Sequence, residues 1–230
     1  MNADGDVSAQ PAEAGSQSGT SWFPGTDMAT RFRGYLPVVV DLETSGFQAD
    51  RHAILEMAVV TVGFGEAGLE IRDRWSQAVT PYPGSRMDPA SLKITGIDPE
   101  DPHRGAIAEA EAFREMFRRV RRAMKQAGCH RAILVAHNAA FDQQFIRSAC
   151  ERHGLNRSPF HPFSFIDTAS LAAVAFGHTV LSESCQRAGI TFEASRAHNA
   201  LYDAEKTAAL FCEIVNRWQQ AWPAPDADAE

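Results

Sequence analysis

Three short segments contain residue types that hold divalent cations and move protons. The first is Asp41-Leu42-Glu43, directly after the apolar Val38-Val39-Val40 run. In a strand, residues i and i+2 share a face, so these two carboxylates point the same way. Like charges side by side at the end of a buried strand are costly unless a cation neutralises them. Oxygen-only donors on one face suit Mg²⁺ or Mn²⁺. The pattern alone discriminates little. Asp-x-Glu recurs at Asp98-Pro99-Glu100, in a polar loop, and at Asp203-Ala204-Glu205, on a helix where i and i+2 do not face each other. The competing reading of Asp41 and Glu43 is a solvated strand end.

The second segment ends in Asp142, within Ala136-His137-Asn138-Ala139-Ala140-Phe141-Asp142. An acid on the first turn of a helix is often only a charge favoured by the helix dipole. The third ends in Asp203, within Ala197-His198-Asn199-Ala200-Leu201-Tyr202-Asp203. A histidine with an ordinary pKa near 6.5 can take a proton from water at neutral pH. Both segments read Ala-His-Asn-Ala-x-x-Asp, so the pattern leaves His137 and His198 equal as candidate bases.

These positions need a scaffold. The β-branched run predicts a strand over 36–42. Residues 54–62 form a second apolar stretch, although its start could equally be helical. A more polar third strand over 70–79 ends at Pro81-Tyr82-Pro83-Gly84. Short connections make the three an antiparallel meander. Phe113, Phe117, Val120 and Met124 then fall on one face of a helix over 106–127. A buried strand over 132–135 leads into a helix over 139–152. A short strand over 163–166 precedes helices over 168–176 and near 180–188. The last helix, over 199–218, turns Leu210, Phe211, Ile214, Val215 and Trp218 inward. This order is α/β, a layered sheet rather than an alternating doubly wound one.

The chain has 230 residues, 44% hydrophobic and 22% charged, as expected of a globular protein with a substantial core. Its net charge of −7 argues at face value against a polyanionic partner. The acidity lies at the ends, however. Residues 1–30 contain Asp4, Asp6, Glu13 and Asp27, and residues 219–230 contain Asp226, Asp228 and Glu230, with no Lys or Arg in either stretch; residues 31–218 are therefore neutral. The ends, 1–30 and 223–230, read as disordered acidic tails around one domain over 31–222. No apolar run approaches the roughly 18 residues of a membrane span, and no secretory signal is evident. Cys129, Cys150, Cys185 and Cys212 are too scattered for a zinc site or disulfide framework, which fits reduced thiols in the cytoplasm.

Asp-x-Glu at a strand end, Asn-x₃-Asp at a strand-to-helix junction and His-x₄-Asp entering a helix come in this order. Together they resemble the DEDDh group of 3′–5′ exonucleases, on the ribonuclease H-like fold of a mixed sheet flanked by helices. Within that group the chain is similar to the ribonuclease T family. The similarity extends over Arg31-Phe32-Arg33-Gly34, Asp41-Leu42-Glu43-Thr44-Ser45-Gly46-Phe47, Gly96-Ile97-Asp98-Pro99, Val135-Ala136-His137-Asn138, Asn156-Arg157-Ser158-Pro159-Phe160-His161-Pro162-Phe163 and Leu210-Phe211-Cys212-Glu213-Ile214-Val215-Asn216-Arg217-Trp218.

The resemblance implies Asp41, Glu43, Asp142 and Asp203 as ligands of two Mg²⁺ ions, or Mn²⁺, and His198 rather than His137 as general base. Asp41 would bridge both ions, Glu43 and Asp203 would complete one site, and Asp142 would support the other. Two-ion hydrolysis would release nucleoside 5′-monophosphates from the 3′ ends of tRNA-like RNA and of single-stranded DNA. Phe47, Phe141 and Phe163 match aromatics that sandwich the terminal bases, each stack worth about 1–3 kcal/mol. The chain departs from the family at Ala90 and Ile94, where Glu and an aromatic are usual, so base discrimination should differ. Arg114, Arg118, Arg121, Arg122, Lys125 and Arg131, with Arg31, Arg33 and Arg157, could track phosphates; the bland reading of the helical ones is a solvated face. In the family such residues serve the partner subunit's site, which implies a homodimer. The rivals are a proofreading exonuclease subunit, an oligoribonuclease, and an RNA-binding module with a dead site.

Overall fold

The computed structural model describes residues 27–221. Its centre is a six-stranded mixed sheet in the order β4-β3-β2-β1-β5-β6. The meander expected from the sequence is present: β1 (Tyr35–Thr44) pairs antiparallel with β2 (Ile54–Gly65), which pairs antiparallel with β3 (Gly68–Thr80). The Leu55-Glu56-Met57-Ala58 segment is strand, because its apolar residues are buried against both neighbouring layers. Two elements escape the periodicity because they are short. They are α1 (Pro89–Thr95), capped by Asp88, and β4 (Ile107–Ala108) at the sheet edge.

β5 (Arg131–Ala136) lies parallel to β1, with Val39 opposite Val135, and β6 (Phe160–Asp167) lies parallel to β5. The remaining α-helices are α2 (Glu109–Gln126), α3 (Ala140–Arg152), α4 (Thr168–Phe176), α5 (Leu181–Ala188) and α6 (Ala200–Ala221).

Strand alternation decides which helix covers which face. Asp41 and Glu43 share the face of Arg74, whose Nε lies 2.7 Å from Glu205 of α6. Trp75 looks the opposite way, toward α2, with the Arg119 guanidinium 5.4 Å from its ring. The sheet is therefore sandwiched, α6 on the carboxylate face and α2 behind. Phe113, Phe117 and Val120 are buried as the helical period requires, while Met124 is only partly buried at the rim.

Two expectations are corrected. Trp218 does not turn inward; it is 56% exposed. The N-terminal tail does not reach residue 30. Asp27–Thr30 forms a turn, Met28 is buried in the main core, and the Met28 carbonyl accepts from Cys129 Sγ at 3.2 Å. The rest of the expected tails, with Trp22 and Phe23, lies outside the described residues. The four cysteines are free, and no helix among the described residues is long and apolar enough to cross a membrane.

Candidate active site

The first two carboxylates are delivered by β1. Val38, Val40 and Leu42 anchor its other face in the core, leaving Asp41 and Glu43 to converge beneath α6. Asp142 comes from the first turn of α3, directly beyond β5, and the Leu42 backbone donates to it. Asp203 comes from the first turn of α6, where Asn199 caps the helix by accepting from Tyr202 N at 3.0 Å. The Asp203 backbone N–H donates to Asn199 O, also at 3.0 Å. The structure thus brings together all four acids from three separate stretches of chain.

The electrostatics show what the arrangement requires. Burial, then the charges of Asp142, Glu43 and Asp203, raise the Asp41 carboxyl well above the ordinary carboxylate range. Burial raises Asp142 in the same way, and Glu43 adds to it. Glu43 is pushed up to about 7 by burial and by Asp203 and Glu56. Burial raises Asp203 against the opposing pull of His198. The Asp203 Oδ1 atom is buried with no hydrogen-bond partner. Clustered acids with an orphaned oxygen fit a hard divalent cation, which would satisfy the lone pairs and remove the repulsion.

His198 lies exposed just before α6, in the left-handed region at φ 64°. Its backbone N–H donates to Asp203 Oδ2 at 2.8 Å, which fixes the loop while leaving the ring free to face the cluster. A ring nitrogen of His198 and carboxylate oxygens of Glu43 and Asp203 lie within 4.8 Å of one another. His137 is placed differently. Its Nδ1 lies 3.0 Å from Thr168 Oγ1 and its Nε2 lies 2.7 Å from Thr179 O. Burial lowers its pKa. With both nitrogens engaged, His137 is a strut between loops.

Phe47 is 71% exposed and leans edge-on toward Phe141, ring centroids 6.3 Å apart. Its loop is braced by Ser45, whose hydroxyl donates to Arg86 O at 2.6 Å and accepts from Ala53 N at 2.8 Å. The Asp88 N–H donates to Ser45 O at 2.8 Å, bringing α1, with Ala90 and the exposed Ile94, beside the Phe47 loop. Phe163 is 84% exposed on β6, whereas Phe160 is buried and Phe165 packs on the core.

The cationic residues do not gather at the carboxylates. Arg118 and Arg119 are held by Glu115, and Arg118 and Arg122 border a groove between α2 and the β2–β3 pair. Arg114, Arg121 and Arg157 line a separate groove, where Arg121 donates to Arg157 O. Arg131 donates to Phe160 O at 3.2 Å. The guanidiniums of Arg31 and Arg33 lie over the rings of Phe32 and Tyr35. Lys125 is exposed in the last turn of α2.

One acid near the site escapes a reading of motifs. Glu56 stands directly across from Glu43 on β2, and its carboxylate accepts from the Ala200 backbone at the start of α6. The available signal was a single charged residue inside an otherwise apolar strand.

Comparison with known proteins identifies the chain's relatives. A family model described as exonuclease, RNase_T, matches residues 38–211. The chain is 51% identical over 206 residues to ribonuclease T of Escherichia coli O9:H4 (strain HS) and, at the same identity, to ribonuclease T of Shigella flexneri. These alignments cover 88% of this chain and 96% of each relative. Among solved structures, E. coli exonuclease I bound to a dT13 oligonucleotide superposes with a TM-score of 0.61 at 17% identity, over 81% of this chain and 42% of that one. The cell-death related nuclease CRN-4 gives 0.62 at 14% identity, over 79% and 64%. At these identities the structural likeness speaks to the fold, and the chain spans only part of those larger proteins.

Proposed function

The chain belongs to the ribonuclease T family of 3′–5′ exonucleases, and from that premise we propose that it trims the 3′ ends of tRNA-like RNAs, and single-stranded DNA as well, with two divalent cations held by Asp41, Glu43, Asp142 and Asp203. The observation that supports the cation reading is the clustering of four carboxylates, three of them buried, each pushed toward its protonated form, together with an Asp203 oxygen that has no hydrogen-bond partner. Mg²⁺ or Mn²⁺ bound there would acidify water and neutralise charge developing on the phosphate and the leaving oxygen.

The protein's own groups do the rest. His198 faces the cluster from a loop and takes the proton of the attacking water. Phe47 and Phe141 form one wall against the terminal bases, and Phe163 offers another exposed ring. Breaking the last phosphodiester on its 3′-oxygen side leaves a nucleoside 5′-monophosphate and a shortened strand.

The family resemblance, rather than the fold, suggests that the α2 arginines, which lie on the sheet face away from α6, serve the active site of a second copy in a homodimer. The free thiols fit a reducing cytoplasm. Incubation with a 3′-labelled single-stranded oligonucleotide should release labelled mononucleotide with Mg²⁺ and none with EDTA. Labelled fragments longer than one nucleotide, or no dependence on metal, would overturn the reading.

A further inference from the structure

Asp167, the last residue of β6, belongs to none of the three acidic segments, yet its carboxylate is the hub of the corner that presents Asp142. The chain leaves β5, turns through His137, Asn138 and Ala139, and starts α3. Asn138 adopts the left-handed conformation at φ 65°, which asparagine tolerates better than most residues with a side chain. Ala139 follows in the right-handed region, at φ −54° and ψ −23°. A left-handed residue followed by a right-handed one turns successive backbone N–H groups toward a common centre, a concavity that binds anions.

Here the anion is supplied by the protein. Asp167 Oδ1 accepts from Asn138 N at 2.9 Å and from Ala139 N at 3.3 Å. The same carboxylate caps α4. Oδ1 also accepts from Ala169 N at 3.3 Å, and Oδ2 accepts from Ser170 N at 3.3 Å and Ser170 Oγ at 2.6 Å. Its neighbour Thr168 donates to Ala136 O at 3.1 Å, closing the other side of the turn. These bonds fix Asn138 in that conformation and hold the turn in place. The Phe141 N–H then donates to Asn138 O at 2.9 Å, so the turn is tied to the first turn of α3 at the residue before Asp142.

We propose that Asp167 is a positioning residue for the metal site: by filling the anion-binding turn at Asn138–Ala139 it sets the register in which α3 delivers Asp142. It touches neither substrate nor cation. The proposal rests on the reading of Asp142 as a cation ligand given above. Outer partners that orient ligands typically change metal affinity by about 10–100-fold when removed.

The test uses the full chain, with Mn²⁺ binding followed by calorimetry and cleavage followed separately as kcat and KM. Asp167→Ala should bind Mn²⁺ about 10–100-fold more weakly. It should lower kcat and need more metal for half-maximal activity, with KM for the oligonucleotide unchanged. Ser170→Ala removes one bond of the α4 cap without touching the turn, and should keep wild-type Mn²⁺ affinity even if it melts earlier. Asp167→Asn, which keeps an oxygen for the turn but no charge, should fall between wild type and Asp167→Ala and serves if the alanine variant does not fold. Wild-type Mn²⁺ affinity in the folded Asp167 variants overturns the proposal, as does an equal loss in Ser170→Ala. Failure of the wild-type protein itself to bind Mn²⁺ would instead overturn the underlying metal reading, and this inference with it.

Discussion

At the scale of the residue, two histidines with identical local patterns have different fates because of what surrounds their rings. His137 spends both nitrogens on Thr168 and Thr179, and His198 faces Glu43 and Asp203 from an exposed loop. His198→Ala should therefore lose about 10²–10⁴-fold in single-turnover cleavage, while fluorescence anisotropy still reports RNA binding. His137→Ala should melt earlier but cut when folded; the reverse outcome in cleavage would exchange their roles. The motif residues were legible because each lies beside a strand or helix start that the sequence marks clearly. The choice between the histidines was not legible from the pattern, since it depends on Thr179, which is remote in sequence. Glu56 and Asp167 were missed for the same reason. The first matters through its register opposite Glu43, the second through backbone N–H groups about thirty residues away.

At the scale of the element, α2 shows what periodicity can and cannot tell. The apolar stripe of Phe113, Phe117 and Val120 identified the helix and its buried face. The cationic residues between them looked like one continuous track, but the helix divides them between two grooves, and Glu115 occupies Arg118 and Arg119. The short elements α1 and β4 were invisible because neither is long enough to establish a period. If the cations of this helix that have no acid partner hold phosphates, each contact contributes about 0.7 to the slope of log affinity against log salt for a single strand. Neutralising Arg121 and Lys125 together should lower that slope by about 1.4, and adding Arg118→Ala should lower it by less than a further 0.7, because Arg118 already has an acid partner. An unchanged slope would make α2 a solvated face. Mixing a His198→Ala subunit with an α2-neutralised subunit should restore cleavage if the helix serves the partner's site.

At the scale of the whole molecule, the net charge of −7 hides two separate facts. Most of the excess acid is outside the described residues, and inside them the costly charge is concentrated at one place. For Glu43 the carboxyl rises from an ordinary 4.5 to about 7 in the fold, so unfolding favours the ionised form. The sign follows from linkage: stability from this group is full below about pH 4.5 and is lost as pH climbs through 7. The shift corresponds to about 3 kcal/mol from Glu43 alone, and Asp41, Asp142 and Asp203 shift in the same direction. A cation bound among them removes the penalty, since it binds the ionised folded state and not the unfolded chain. In EDTA the melting temperature should fall steadily between pH 5 and 8, and millimolar Mn²⁺ should flatten that fall. Asp203→Asn should blunt both effects by removing one of the repelling charges. A melting temperature in EDTA that stays level across this range would mean that the carboxylates share protons without straining the fold, and that no cation is needed to hold them together.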